Sequence, residues 1–138
     1  AEFCSRATEI STSQTSPPTL ASRYMSGKAL VVDRVVTAPG RGREFVDRYT
    51  TAYVPGGRSR GMTLEHILVS PPIWQGETSN VVTIVWSLED VAAWWNMTRL
   101  GRPDVTLAQW WDSVDELIVE RSRSMAGEAA DVEELCNV

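Results

Sequence analysis

With 138 residues the chain is the size of one domain, and 43% apolar against 22% charged residues is an ordinary globular mixture that excludes a disordered chain. The net charge of −5, with the single histidine neutral, argues against nucleic acid or an anionic membrane as the main partner, because both favour a basic surface. Arginine is nevertheless frequent from Arg34 to Arg60, which leaves room for a local basic patch.

No apolar stretch reaches the roughly 18 residues that a membrane-spanning helix needs. The N-terminus lacks the basic-then-apolar pattern of a secretion signal, so a cytoplasmic protein is expected. Cys4 and Cys136 stand near opposite ends. Two cysteines are too few for a disulfide framework and too widely spaced for a metal site; they read as two free thiols or as one staple between the termini.

Residues 1–27 are rich in Ser and Thr, and Ser16-Pro17-Pro18 excludes a regular element there. This segment reads as a flexible arm or one laid across a partner. Ala29–Thr37 is short and β-branched, a strand, ended by Pro39-Gly40. From Arg41 to about Tyr53, Phe45, Val46, Tyr49 and Tyr53 recur at helical spacing, and Val54-Pro55-Gly56-Gly57 is expected to stop that helix. Met62–Val69 reads as a second strand and Ser79–Trp86 as a third, antiparallel to it, with Pro71-Pro72 and Gly76 in the link. Ser87 is placed as the N-cap of a helix over Leu88–Leu100, with Asp90 as its capping-box acid. Gly101-Arg102-Pro103 breaks it, a short helix follows over Thr106–Ser113, and Leu117–Arg121 reads as a fourth strand. The domain therefore spans 28–126, and an acidic tail occupies 127–138.

The order β-α-β-β-α-β, with an extra short helix before the last strand, predicts an α+β domain with four strands and helices on one face. The strands carry apolar residues on both faces, Leu30, Val32 and Val36 against Val31 and Val35, so the uncovered face would expose an apolar patch to water. Pairing two such sheets covers it, so the pattern predicts a homodimer.

From Ala29 through Met125 this order resembles the dimeric α+β barrel superfamily, with its ferredoxin-like fold and its antibiotic-biosynthesis monooxygenase and polyketide cyclase-like members. The nearest local likeness is Val81–Asp90, a strand ending in Trp86-Ser87 and feeding a helix with Trp94-Trp95. The resemblance implies a cavity between sheet and helices, bounded by the first helix and the middle strands. It leaves several activities open: cofactor-free oxygenation of phenols, cyclisation, isomerisation, haem binding, or no reaction at all.

His66 alternates with Leu64 and Leu68, which predicts that all three share one face, where a neutral imidazole would serve as a general base or simply be a core histidine. Asp33 lies mid-strand among apolar residues; it reads as a cavity acid or as half of a salt bridge with an arginine such as Arg121. Tyr49 and Tyr53 lie on one helix face, as ligand contacts or as core. Six tryptophans are many for this length; adjacent members of Trp94-Trp95 and Trp110-Trp111 are not expected both to face the core, so part of the set, with Trp86, is expected to wall a pocket for a flat hydrophobic molecule or to pack an interface. Asn96 and Arg99 would supply polar contacts.

The sequence holds no phosphate-binding glycine loop, metal-ligand cluster or nucleophile elbow, so no cofactor is expected. The leading expectation is a cofactor-independent enzyme that cyclises or isomerises a small aromatic or polyketide-like substrate, with His66 and Asp33 moving protons. The alternatives are a cofactor-free monooxygenase of phenols, a non-catalytic dimeric ligand-binding protein, and a haem-binding protein.

Overall fold

The computed structural model describes residues 28–136. The arm over 1–27 and any pairing of Cys4 lie outside the described residues.

Four strands form one antiparallel sheet in the order β2-β3-β1-β4: β1 Ala29–Thr37, β2 Thr63–Ser70, β3 Val81–Leu88 and β4 Ile118–Ala126. In β1 the residues Ala29, Val31, Asp33, Val35 and Thr37 are buried, and their neighbours are half-buried or exposed. That alternation follows from the two-residue period of a strand with helices on one face only. In β3 Val82, Ile84, Trp86 and Leu88 face the same helices. The core sits over these two central strands and is closed by Phe45, Tyr49, Tyr53, Met97, Val114 and Leu117.

The first helical segment is longer than the sequence predicts. α1 (Gly42–Arg48) passes through a wide π turn at Tyr49–Tyr53 and resumes as α2 (Val54–Ser59), straight through Pro55-Gly56-Gly57. Pro55 has no N–H and disrupts a regular helix interior. The π turn, in which Val54 N–H reaches back to Tyr49 O, lets the helix restart with Pro55 in its first turn, where a missing donor is harmless. Gly57 is needed for close approach: a Cβ there would stand 2.7 Å from Cη2 of Trp86.

The next helix also starts later than expected. Ser87 belongs to β3, and its hydroxyl donates to Glu65 Oε1 (2.7 Å). The cap of α3 (Val91–Gly101) is Asp90, whose Oδ1 accepts from Ala93 N–H at 2.7 Å. α4 (Val105–Ser113) is capped by Asp104, and a short helix α5 (Val132–Cys136) ends the described chain.

Helices on one face of a ferredoxin-like sheet are as expected, but the barrel is not. β2 and β4 stand at opposite ends of the sheet and do not pair, so it stays open with two edges. The outer face is also less apolar than the sequence pattern suggests. Register places Ser122 and Ser124 of β4 beside Arg34 and Val32, and Arg34 lies 3.7 Å from Glu120 across the strands. Among the described residues, no helix is long and apolar enough to cross a membrane.

Candidate functional site

β1 and β4 bring the first site residue into place. Asp33 pairs in register with Arg123, and both point to the helix-covered face. Asp33 is 2% exposed, and Arg123 grips it with two parallel bonds, Nε to Oδ1 at 2.6 Å and Nη2 to Oδ2 at 2.8 Å. The partner is Arg123 and not Arg121, because β4 continues five residues past the predicted end; Arg121 instead lies over the ring of Trp111, 3.8 Å from its centroid. Arg123 Nη2 also donates to Tyr53 Oη at 2.8 Å. Burial works against the Arg123 charge, but Asp33 and then Tyr53 outweigh it, and the guanidinium is held above its ordinary pKa.

Tyr53 stacks on Tyr49 with ring centroids 4.6 Å apart, and Trp86 Nε1 donates to Tyr49 Oη at 2.7 Å. Burial, then the charge of Asp33, pushes the Tyr49 hydroxyl well above its usual pKa, so it remains protonated and acts as a fixed acceptor. Trp110 and Trp111 both pack on this pair, with centroids 5.2 and 5.3 Å from Tyr53. The expectation that adjacent tryptophans must part company fails here: their rings meet nearly edge-on and splay around the two tyrosines. Aromatic side chains thus fill the space between this helix and the central strands, while a groove of about 280 Å³ lined by Tyr53, Arg60, Asp104 and Trp110 remains at its flank.

Another open volume lies further along the sheet. A cleft of about 360 Å³ separates β1 and β4 from α3 and the start of α4; Trp94, Met97, Leu107 and Met125 form its apolar wall, and Arg60, Arg102 and Arg123 also line it. A second groove of about 310 Å³ shares Trp94 and Met125 and adds Trp95, which is 60% exposed. The sequence points to Trp94 and Trp95 here. Asn96 and Arg99 do not join them: both are exposed, and Arg99 Nη2 donates to Asn96 Oδ1 at 2.9 Å.

His66 is exposed and faces the other side of the sheet. A β-bulge lies between Leu64 and His66, so Leu64 opposes Trp86 while His66 opposes Val85. The extra residue, Glu65, shifts the alternation by one: Leu64 and Ile67 turn to the helices, whereas His66 and Leu68 turn away. His66 and Asp33 therefore stand on opposite faces and do not form an acid–base pair. Among the described residues, no group of three His, Cys, Asp or Glu side chains could hold a metal ion.

Arg60, Arg102, Arg123, Met97, Leu107 and Met125 are among the lining residues that the sequence does not single out. Only Arg123 left a usable signal, as the cation that a mid-strand Asp33 requires.

No protein-family profile and no curated protein matches this chain. Solved structures do. A NIPSNAP-like domain protein from Burkholderia xenovorans superposes with a TM-score of 0.61 at 12% identity, over 75% of this chain and 86% of that one. A NIPSNAP family protein of unknown function from Agrobacterium tumefaciens gives 0.61 at 10% identity, over 75% and 90%. A putative antibiotic biosynthesis monooxygenase from Bordetella bronchiseptica gives 0.51 at 18% identity, over 75% and 98%. At these identities the likeness establishes the ferredoxin-like fold.

Proposed function

We propose that this domain binds a small, flat, largely apolar molecule in the cleft between α3 and the β1–β4 half of the sheet. The observation that carries this reading is the wall of Trp94, Met97, Leu107 and Met125 around about 360 Å³, a volume within the usual range for small-molecule sites. Binding is a better reading than proton-transfer cyclisation, because the one histidine lies across the sheet from the cleft and from Asp33. A titration of the ¹⁵N-labelled chain with 2-naphthol tests it. Amide shifts centred on Met97, Gly101, Leu107 and Met125 are expected; shifts centred on His66 and Leu68, or none at millimolar ligand, would overturn the assignment.

The fold likeness to putative antibiotic biosynthesis monooxygenases supports a second reading, oxygenation of a bound phenol. Oxygen consumption dependent on 2-naphthol and on an intact cleft would favour it over binding alone. Self-association as a homodimer has separate support from half-buried Leu30, Val32 and Val85 and exposed Leu68 on the outer face. Sedimentation velocity should then give twice the chain mass, and a Leu68→Glu variant should sediment as a single chain.

A further inference from the structure

The apolar walls of the cleft leave Arg60 unexplained. Its side chain follows α2, is 8% exposed, and has Nε and Nη2 buried without a hydrogen-bond partner among the described residues. Those two nitrogens form one edge of the guanidinium, with two N–H groups side by side. Arg123 uses the same edge to hold both carboxylate oxygens of Asp33. Arg60 therefore presents the fork that grips a carboxylate elsewhere in this domain, with no carboxylate on it. Leaving such a group buried and unpaired is costly.

Its neighbours do not fill the fork. The Tyr53 ring, 5.6 Å from Arg60 Cζ, favours the charge but accepts neither N–H. Asp104 is close enough to feel Arg60, but its carboxylate is held below its usual pKa first by the Thr106 hydroxyl, and its Oδ1 already accepts from Thr106 N–H and Leu107 N–H. Among the described residues, Arg123 alone of the three arginines lining the cleft is paired with a buried acid; Asp104 offsets part of the Arg60 charge from the neighbouring groove, and no acid lines the cleft itself.

We propose that the ligand of this cleft is a carboxylate: a small aryl or similarly flat acid held at two points by Nε and Nη2 of Arg60, with its body against Trp94, Met97, Leu107 and Met125. The proposal rests on the small-molecule reading above and adds the charge and geometry of the ligand. A planar two-oxygen anion matches a guanidinium edge, and a single negative charge suits a site whose remaining walls are apolar. Because the fork is covered as the structure stands, the side chain turns to meet the ligand. Gly101 leaves it room, since even an added Cβ there would be no nearer than 3.8 Å to Arg60 Cδ and Nε.

Isothermal titration of the full chain with 2-naphthoate and with its neutral isostere 2-naphthamide tests this. The acid should bind about ten- to a hundredfold tighter than the amide, the margin of a charge-assisted two-point contact. R60Q should abolish that preference, bringing acid and amide to similar affinity, and leave the urea midpoint no lower than the parent's. R60K keeps the charge without the fork and should recover only part of the preference; should R60Q fail to fold, this variant carries the test. Equal affinity for acid and amide, or a preference that survives R60Q or is fully kept by R60K, overturns the carboxylate proposal while the cleft stands. Binding of neither compound overturns the cleft reading and this proposal together.

Discussion

The two faces of the sheet treat polar side chains in opposite ways. On the helix-covered face the Asp33–Arg123–Tyr53 and Trp86–Tyr49 contacts are specific, at 2.6 to 2.8 Å, and the buried fork of Arg60 is the exception. On the outer face Arg34 and Glu120 sit 3.7 Å apart with both side chains more than half exposed, and His66 is exposed. Removal from water sets the difference. A desolvated carboxylate must be paired, whereas a solvated one loses little when its neighbour goes. Chemistry that depends on fixed dipoles and excluded water therefore belongs on the helix side, where the cleft opens.

The sharpest way to break this contrast is Asp33→Ala. It strands Arg123 beside Tyr53, and because Arg123 keeps some solvent contact the loss should fall near the low end for a buried pair, about 3 kcal/mol in urea unfolding. Arg34→Ala on the outer face, in the same strand, should cost no more than about 1 kcal/mol. If the two losses match, the faces do not differ as argued. Trp86→Phe removes the indole donor to Tyr49 and leaves a void at a fully buried site; about 2 kcal/mol is expected, with loss of near-ultraviolet circular dichroism.

A smaller effect concerns the cap of α4. Asp104→Ala should lower the Tm at neutral pH. The folded-state pKa of Asp104 is depressed, chiefly by the Thr106 hydroxyl, so its contribution is present above the unfolded carboxylate pKa and is lost as pH falls through the folded one. The Tm difference between D104A and the parent should accordingly narrow on acidification; a constant gap would mean the carboxylate charge is immaterial. The smallest effect should come from His66→Ala, within about 0.5 kcal/mol in stability and with unchanged 2-naphthol binding. A large loss of binding in H66A would bring the outer face back as the functional one.

Much of the architecture is legible in the residues. The β-branched run Ala29–Thr37 is a strand with the predicted limits, because Pro39-Gly40 ends it and its neighbours on both sides are strands. The element order follows from periodicity alone. What escaped depends on contacts distant in sequence. A π turn that rescues Pro55 has no composition of its own. The five residues of β4 beyond Arg121 alternate serine with Arg123 and Met125, a pattern that looks like loop until β1 is laid beside it. Of the site, Trp94 and Asp33 were visible as unusual residues in their elements, and Tyr49 and Trp86 proved to be packed core. Arg60 was not visible, since nothing in Gly56-Gly57-Arg58-Ser59-Arg60 distinguishes a buried guanidinium from a solvated one.

The bulge in β2 bears on how this chain is compared with any other. The strand carries two alternation phases joined at Glu65: Leu64 and Ile67 both turn inward although three positions separate them. Deleting Glu65 alone would restore regular alternation and leave every other side chain of the strand on its present face. An alignment drawn without a gap against a relative lacking this extra residue would place one half of the strand inside out, equating the exposed histidine here with a core position there.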